Sequence, residues 1–335
     1  MGASGLLLLD TASLYYRAFF GIPDSIRSPD GVPVNAVRGL LDMTARLIID
    51  RRPSRLVACW DDDWRPAFRV AAIPSYKAHR VVAGTMDTEE TPDLLSPQVP
   101  VIVAVLAALG IARVGAPGFE ADDVIGTLVA HEAAVAVARS ARGPTPGRPG
   151  VEIVTGDRDL FQLVDDDAGV RVLYTSRGVS DLDVVDQARL YDKYGVSTGR
   201  AYADLAVLRG DPSDGLPGVR GIGAKTAVAL LRRYGDLAGL LAARDASDRG
   251  LTVTLRARLT DAAEYLAVAP GVVRVAPDAP VGEFDDALPA TPADPDALVA
   301  LAERWGLASS IARLVRAMTG EPSATPLRRP GGDVR

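Results

Sequence analysis

The chain has 335 residues, 48% hydrophobic and 24% charged, which is ordinary for a globular protein with room for one large domain or two modest ones. A single cysteine, Cys59, excludes an internal disulfide framework and a cysteine-rich zinc site, and His79 and His131 alone exclude a histidine-rich one. The formal net charge of −6 counts against a nucleic-acid partner only if the acids are spread evenly, and they are not. The apolar runs end well short of membrane-spanning length and no basic stretch precedes the first, so neither a span nor a signal peptide is expected and the expected location is cytoplasmic.

Four short apolar runs with turn or charged flanks predict buried strands at Leu6–Asp10, 56–61, Val151–Thr155 and Val170–Tyr174. Between them, apolar residues recur near a 3.6-residue period over 34–49, 99–109 and 121–138, which predicts helices. Strands alternating with helices imply an α/β domain over residues 1–190 with a mostly parallel sheet. Residues 80–100 read as a long, acidic, poorly structured excursion, and 139–150 as a mobile Pro/Gly/Arg loop. From about Tyr191 the pattern turns helical, predicting a second, helical subdomain over 191–320 and a disordered tail over 321–335.

The acids carry most of the chemistry. Asp10, Asp61 and Asp157 each follow an apolar strand, the last with Asp159 behind it, and ligands of open α/β sheets bind beyond the carboxyl ends of the strands. Glu120, Asp122 and Asp123 open a helix, Glu120 and Asp123 three apart on one face; Asp211 and Asp214 flank a tight turn. Each acid alone is an ordinary cap or turn residue, but their number is hard to explain that way. Carboxylates without His or Cys suit hard cations, Mg²⁺ or Mn²⁺, and two such ions activate water and stabilise the leaving oxygen of a phosphodiester. Asp62 remains an alternative to Asp61, one residue along.

The basic residues are placed to answer a phosphate. Lys77 and Arg80 lie three apart; alone they would be solvated charges, but beside a metal site they become candidates to clamp the scissile phosphate. The segment LPGVRGIGAKTA (216–227) is neither a P-loop nor a dinucleotide fingerprint, since alanine separates Gly223 from Lys225 and no strand leads into it. Its glycines permit close approach of backbone amides at a helix start to a phosphate. Residues 216–258 carry a net charge of +5, with Arg220, Lys225, Arg232 and Arg233 among the bases, so the acidic total conceals a region suited to a DNA backbone.

The blocks GFEADDVIGTL, VTGDRDLFQL and LRGDPSDGLPGVRGIGAKTA, in this order, resemble the bacterial 5′-nuclease family: the N-terminal nuclease domain of DNA polymerase I and its free-standing relatives. The resemblance runs over about residues 6–316 and no polymerase region follows, so a free-standing 5′→3′ exonuclease and flap endonuclease is expected. It implies a PIN-like fold with a helix–three-turn–helix DNA-binding element. It further implies that Asp10, Asp61, Glu120 and Asp122 hold one metal ion and that Asp157, Asp159 and Asp214 contribute to a second, with Asp123 and Asp211 in support. Lys77 and Arg80 would touch the scissile phosphate and Arg69 a nearby one. Gly221 and Gly223 would bring backbone to the duplex, where relatives also hold K⁺, with Gly218 and Thr226 in the same DNA-binding element. Residues 80–100 would form the arch that a 5′ flap threads, and the partners would be DNA with flaps, nicks or 5′ ends and a DNA polymerase. The Asp61–Arg69 interval is one residue longer than the family pattern, which keeps Asp62 open. The rivals are a PIN-like ribonuclease, against which the basic glycine element speaks, and a DNA-binding relative without chemistry, against which the filled acid set speaks.

Overall fold

A computed structural model describes residues 5–85, 88–140 and 150–320, leaving out the side chains of 136–140. The loop expected at 141–149 and the tail at 321–335 lie outside the described residues.

The sheet is built around β1 (Leu6–Asp10), whose four leucines are buried on both faces. Leu6 and Leu8 enter one core and Leu7 and Leu9 the other, as strand alternation requires. Its neighbours are β2 (Arg55–Cys59) and β4 (Val151–Thr155), with β3 (Ala112–Val114) outside β2 and β5 (Val170–Tyr174) outside β4. β1 to β5 run parallel, and β6 (Asp183–Val185) closes the β5 edge antiparallel, giving the order β3-β2-β1-β4-β5-β6. The chain winds from β1 to one side and then returns to the other, so the crevice between β1 and β4 is the switch point where such sheets place their ligands. Asp10 pairs with Cys59 and Leu9 with Val154, which brings the ends of the three acid-bearing strands side by side.

One face of the sheet is covered by α1 (Thr11–Gly21), α2 (Asn35–Arg51) and α4 (Val99–Leu109). The other carries α3 (Ala67–Ala72) and α5 (Ala121–Ser140), followed outward by a helical layer. That layer holds α6 (Gln187–Tyr194), α7 (Gly199–Arg209), α8 (Ala224–Tyr234), α9 (Leu237–Asp245), α10 (Val253–Asp261) and α11 (Ala263–Val273). The last helices, α12 (Pro295–Trp305) and α13 (Ala308–Thr319), return to the first face, where Leu298, Ile311 and Leu314 pack with Leu7, Leu9 and Val37.

The two parts expected to meet near residue 190 share one core, in which Leu205, Leu230 and Leu266 pack with Leu6, Leu8 and Val124, and α12 and α13 pack on the first face of the sheet. Other expectations are corrected. β2 ends at Cys59 and does not run on to residue 61; the Trp60 amide makes the last bond to β3, donating to the Val114 carbonyl (2.8 Å). The excursion at 80–100 is ordered where it is described. Gln98, 1% exposed, accepts from the Ala36 and Val37 amides (2.8 and 3.3 Å) and so caps α2, whose own Val34 cannot. Nearer its start, Val81 pairs with Glu89, and the Glu90 amide donates to the Arg80 carbonyl (2.9 Å). Among the described residues no helix is long and apolar enough to cross a membrane.

Candidate metal centre and nucleic-acid interface

Asp10 ends β1 and caps α1, accepting from the Ser13 amide (3.2 Å) and the Thr155 hydroxyl (2.6 Å). Burial pushes its carboxyl up to about 7, and the charges of Asp61 and Asp157 add to the shift. Asp61 accepts from the Ala121 amide (2.8 Å), joining the loop after β2 to the start of α5. Asp122, one residue into that helix, faces the same space; its carboxyl accepts no hydrogen bond among the described residues. Burial, then Asp157, Asp10 and Glu120, push it well above the carboxylate range. Asp157, after β4, accepts from the Asp159 amide (2.9 Å). These four, with Glu120, line a cleft of about 830 Å³ shared with Lys77 and Arg80. A smaller recess of about 50 Å³ opens beside it, lined by Asp159, Asp211 and Asp214 and again by Asp157 and Arg80. Burial and then Asp157 push Asp159 up to about 8. The acids thus fall into two groups with Asp157 as their common wall.

Lys77 and Arg80 both reach this boundary from the segment after α3. The Lys77 ammonium bonds Glu120, and Arg80 bonds Asp214 (2.9 Å). Burial works against the charge on Lys77, but Glu120, Tyr76 and Asp214 together outweigh it and hold the amine protonated.

Two assignments implied by the resemblance do not fit the geometry. Arg69 is 2% exposed and its guanidinium is spent on Glu120 (2.7 Å) and Asp123 (2.6 and 2.7 Å), so it meets no phosphate. Asp123 is fully buried, and its oxygens accept from Arg69, from the Glu120 amide (3.2 Å) and from the Ala276 amide (2.8 Å), so none is left for a metal ion. The helix turns about 100° per residue, which separates Asp123 on the core side from Asp122 on the cleft side. Asp211 accepts from Ser213 and Arg209 and supports the turn that presents Asp214.

Of the pair at 61 and 62, the geometry favours Asp61. Asp62 is about a third exposed and lies 4.0 Å from Arg113 on the edge strand, whereas Asp61 is raised by burial and contributes to the shift on Asp10. Asp61→Asn is expected to lower metal-dependent cleavage on the order of 10²-fold or more, and Asp62→Asn only a few-fold, in a side-by-side rate comparison. Equal losses would contradict the assignment.

The donors suit a hard divalent cation: all are carboxylates, and those of Asp10, Asp122 and Asp159 are raised by burial and then by the charges of neighbouring acids, an environment that a cation relieves. Among the described residues no three of them are drawn to a common ligand point as they stand, since Glu120 and Asp214 turn to Lys77 and Arg80.

The glycine-rich element follows α7. Gly210 (φ +77°) and Gly218 (φ +65°) cross so closely that a Cβ on Gly218 would lie 2.5 Å from backbone atoms of Arg209 and Gly210. The turn is docked on the cleft: the Lys77 amide donates to the Asp214 carbonyl (3.0 Å), and the Ser75 hydroxyl to the Gly215 carbonyl (2.7 Å). Gly223 then caps α8 with no side-chain acceptor, and a Cβ there would meet open space. The first amides of α8 therefore face outward near exposed Arg220 and Lys225, with Thr226 half-buried, while exposed Arg232 and Arg233 stand in the last turn of the helix. Arg232 also stacks over Tyr191 (5.0 Å). The Gly221 carbonyl already accepts from Arg258 (2.8 Å), a fixed positive charge in the element where K⁺ is expected.

Sequence reasoning assigned no role to Thr155, which holds Asp10, or to Tyr76, whose hydroxyl donates to Glu120 (2.7 Å). Nor did it place Glu89 and Glu90 on the cleft wall. The signals in the sequence were Thr155 inside the block VTGDRDLFQL, Tyr76 beside Lys77, and the acidic character of residues 80–100.

An acid-lined cleft at the switch point of such a sheet, with an uncapped, outward-facing helix start following the turn docked on it, defines a nuclease of the PIN-like class. The family models for the 5′-3′ exonuclease N-terminal resolvase-like domain and the 5′-3′ exonuclease C-terminal SAM fold match residues 5–195 and 197–296. The chain belongs to the 5′-3′ exonuclease family. It is 62% identical over 317 residues to a 5′-3′ exonuclease of Streptomyces coelicolor, covering 93% of this chain and 100% of that one. It is 50% identical over 329 residues to one of Mycobacterium tuberculosis, covering 95% and 99%. DNA polymerase I of Mycobacterium bovis is 39% identical over 292 residues, 87% of this chain and 29% of that one. The fold is shared with a T5 5′-exonuclease solved with divalent zinc (TM-score 0.61, 16% identity, 94% and 98% covered). It is shared too with the catalytic core of Rad2 in complex with a DNA substrate (TM-score 0.57, 18% identity, 94% and 93% covered).

Proposed function

We propose that this chain hydrolyses DNA phosphodiester bonds at or near 5′ ends, acting at flaps, nicks and 5′ termini with Mg²⁺ or Mn²⁺ and leaving a 5′-phosphate and a 3′-hydroxyl. The observation that carries it is the docking of the glycine element on the acid cleft, Asp214 lining the recess while its backbone bonds Lys77. A duplex held at the α8 start would thereby present its backbone to the acids.

Asp10, Asp61, Glu120 and Asp122 would hold one cation, and Asp157, Asp159 and Asp214 a second. Bound there, such ions supply an ionised water and neutralise the departing oxygen. Lys77 and Arg80 hold the scissile phosphate, exchanging a carboxylate for a phosphate oxygen. The α8 amides, with Arg220 and Lys225, hold a phosphate further along the duplex. A DNA polymerase that leaves or meets such 5′ ends is the natural partner. The test compares a duplex carrying a 5′ flap with single-stranded RNA of the same sequence under Mg²⁺. Faster cutting of the DNA is expected, and faster cutting of the RNA would transfer the chain to the ribonuclease reading.

The balance between substrates has its own expectation. Glu89 and Glu90 line the cleft without a salt bridge among the described residues, so a single strand entering there passes two carboxylates that no direct ion pair neutralises. The double replacement Glu89→Gln, Glu90→Gln is expected to raise cleavage of long flaps relative to nicks by roughly 2- to 10-fold. An unchanged ratio of the two rates would remove these acids from the route.

A further inference from the structure

We infer that Arg69 is a positioning residue: it fixes the cleft-facing carboxylate of Glu120, from a scaffold that includes the strap leaving α11. The inference rests on the metal-binding reading above and assigns Arg69 no contact with DNA.

The bonding is complete on the buried side. Glu120 Oε2 accepts from Arg69 Nη1 (2.7 Å) and from the Tyr76 hydroxyl (2.7 Å), which leaves Oε1, the oxygen bonded to Lys77, for the cleft. Arg69 is itself held by a fork on Asp123 and by the Val272 carbonyl at Nε (3.0 Å). Asp123 in turn receives the Ala276 amide (2.8 Å). Apart from Glu120, the residues that bond the side chains of this Arg69–Asp123 pair thus belong to the strap at 272–276, which runs from the last turn of α11 to Ala276, whose carbonyl accepts from Thr127 of α5 (3.2 Å).

The same strap reaches the second acid group. Gln162 donates to the Val273 carbonyl (3.0 Å) and the Asp159 carbonyl (2.9 Å) and accepts from the Val275 amide (3.0 Å). On its outer side Arg274 bonds Asp204 of α7 (2.7 Å), whose other oxygen accepts from the Leu237 amide (3.0 Å) at the start of α9. One short segment is therefore bonded to the helical layer on one side and to the supports of Glu120 and Asp159 on the other. Planar, bidentate Arg69 suits this role better than lysine would, because only a fork holds Asp123 and Glu120 at fixed angles at once. Supports of this kind orient a metal-binding carboxylate and typically shift metal affinity by roughly 10- to 100-fold.

The test uses Arg69→Lys, which keeps the charge and loses the fork, and Tyr76→Phe, which removes one donor with little change of shape. Mn²⁺ binding to the full chain is followed by electron paramagnetic resonance without DNA, and the dissociation constant for a 5′-flap duplex is measured with the metal chelated. Arg69→Lys is expected to weaken Mn²⁺ by roughly tenfold or more and Tyr76→Phe by a few-fold in the same direction, with DNA affinity unchanged. Weakened DNA binding with unaltered Mn²⁺ affinity would make Arg69 a phosphate contact and overturn the inference. A lowered melting temperature with both affinities intact would overturn it too, as purely structural. A wild-type chain that binds no Mn²⁺ would remove the metal reading itself.

Discussion

Asp122→Asn is expected to abolish cleavage, by on the order of 10³-fold or more, while leaving the protein as stable as before or more so. The two halves have one cause. Asp122 carries no structural hydrogen bond among the described residues, and its carboxyl is pushed up by burial and by Asp157, Asp10 and Glu120. An isosteric amide removes that repulsion from the metal-free protein, and with it the charge that a cation needs. Active sites commonly trade stability for function in this way. Thermal melts in chelator, paired with single-turnover rates in Mg²⁺, separate the two effects. A variant that melts much lower would show that Asp122 supports the fold, and one that cuts normally would remove it from the metal centre.

Gly218→Ala is expected to destabilise by about 2–4 kcal/mol and to weaken duplex binding, whereas Gly223→Ala should do only the second. At 218 the backbone is left-handed and the added methyl would lie 2.5 Å from main-chain atoms at the end of α7. Those atoms cannot yield without moving the turn that carries Asp214, since the Val219 amide donates to the Leu208 carbonyl (2.9 Å) and the Asp211 amide to the Leu216 carbonyl (3.0 Å). At 223 the backbone is extended and no heavy atom lies within 4 Å, so an alanine folds freely but stands between the α8 amides and a phosphate. Denaturant melts and binding to a labelled duplex check the pair. Equal stability of the two variants would contradict the crossing geometry, and full DNA affinity in Gly223→Ala would remove the helix start from the interface.

The sequence was legible where burial and period agree. β1, β4, β5 and α4 fall on their expected bounds, because each is dominated by large buried apolar residues, with at most one charged residue inside β4 and β5, between turn or charged flanks. β3 and β6 were not foreseen: each is three residues long, has a polar or exposed position within it, and exists through pairing with a neighbour. The return of α12 and α13 to the first face is likewise a matter of which apolar stripe meets which, and a helical period does not name its partner. In the site, the strand-end acids were found because topology brings strand ends together. Family likeness marked Arg69 and Asp123 but could not show that they point inward, at each other, with Glu120 between them and the cleft. Asp61 and Asp62 differ in the same way, by direction, which the turn after β2 decides.

The most direct measurement of the central claim is cleavage of a 5′-labelled flap duplex by the wild-type chain in Mg²⁺, with and without EDTA. Release of short labelled fragments from the flap or its junction, abolished by the chelator, is the predicted result. Tight binding of the duplex with no cutting under Mg²⁺ or Mn²⁺ would contradict it and leave a DNA-binding protein whose acids do no chemistry.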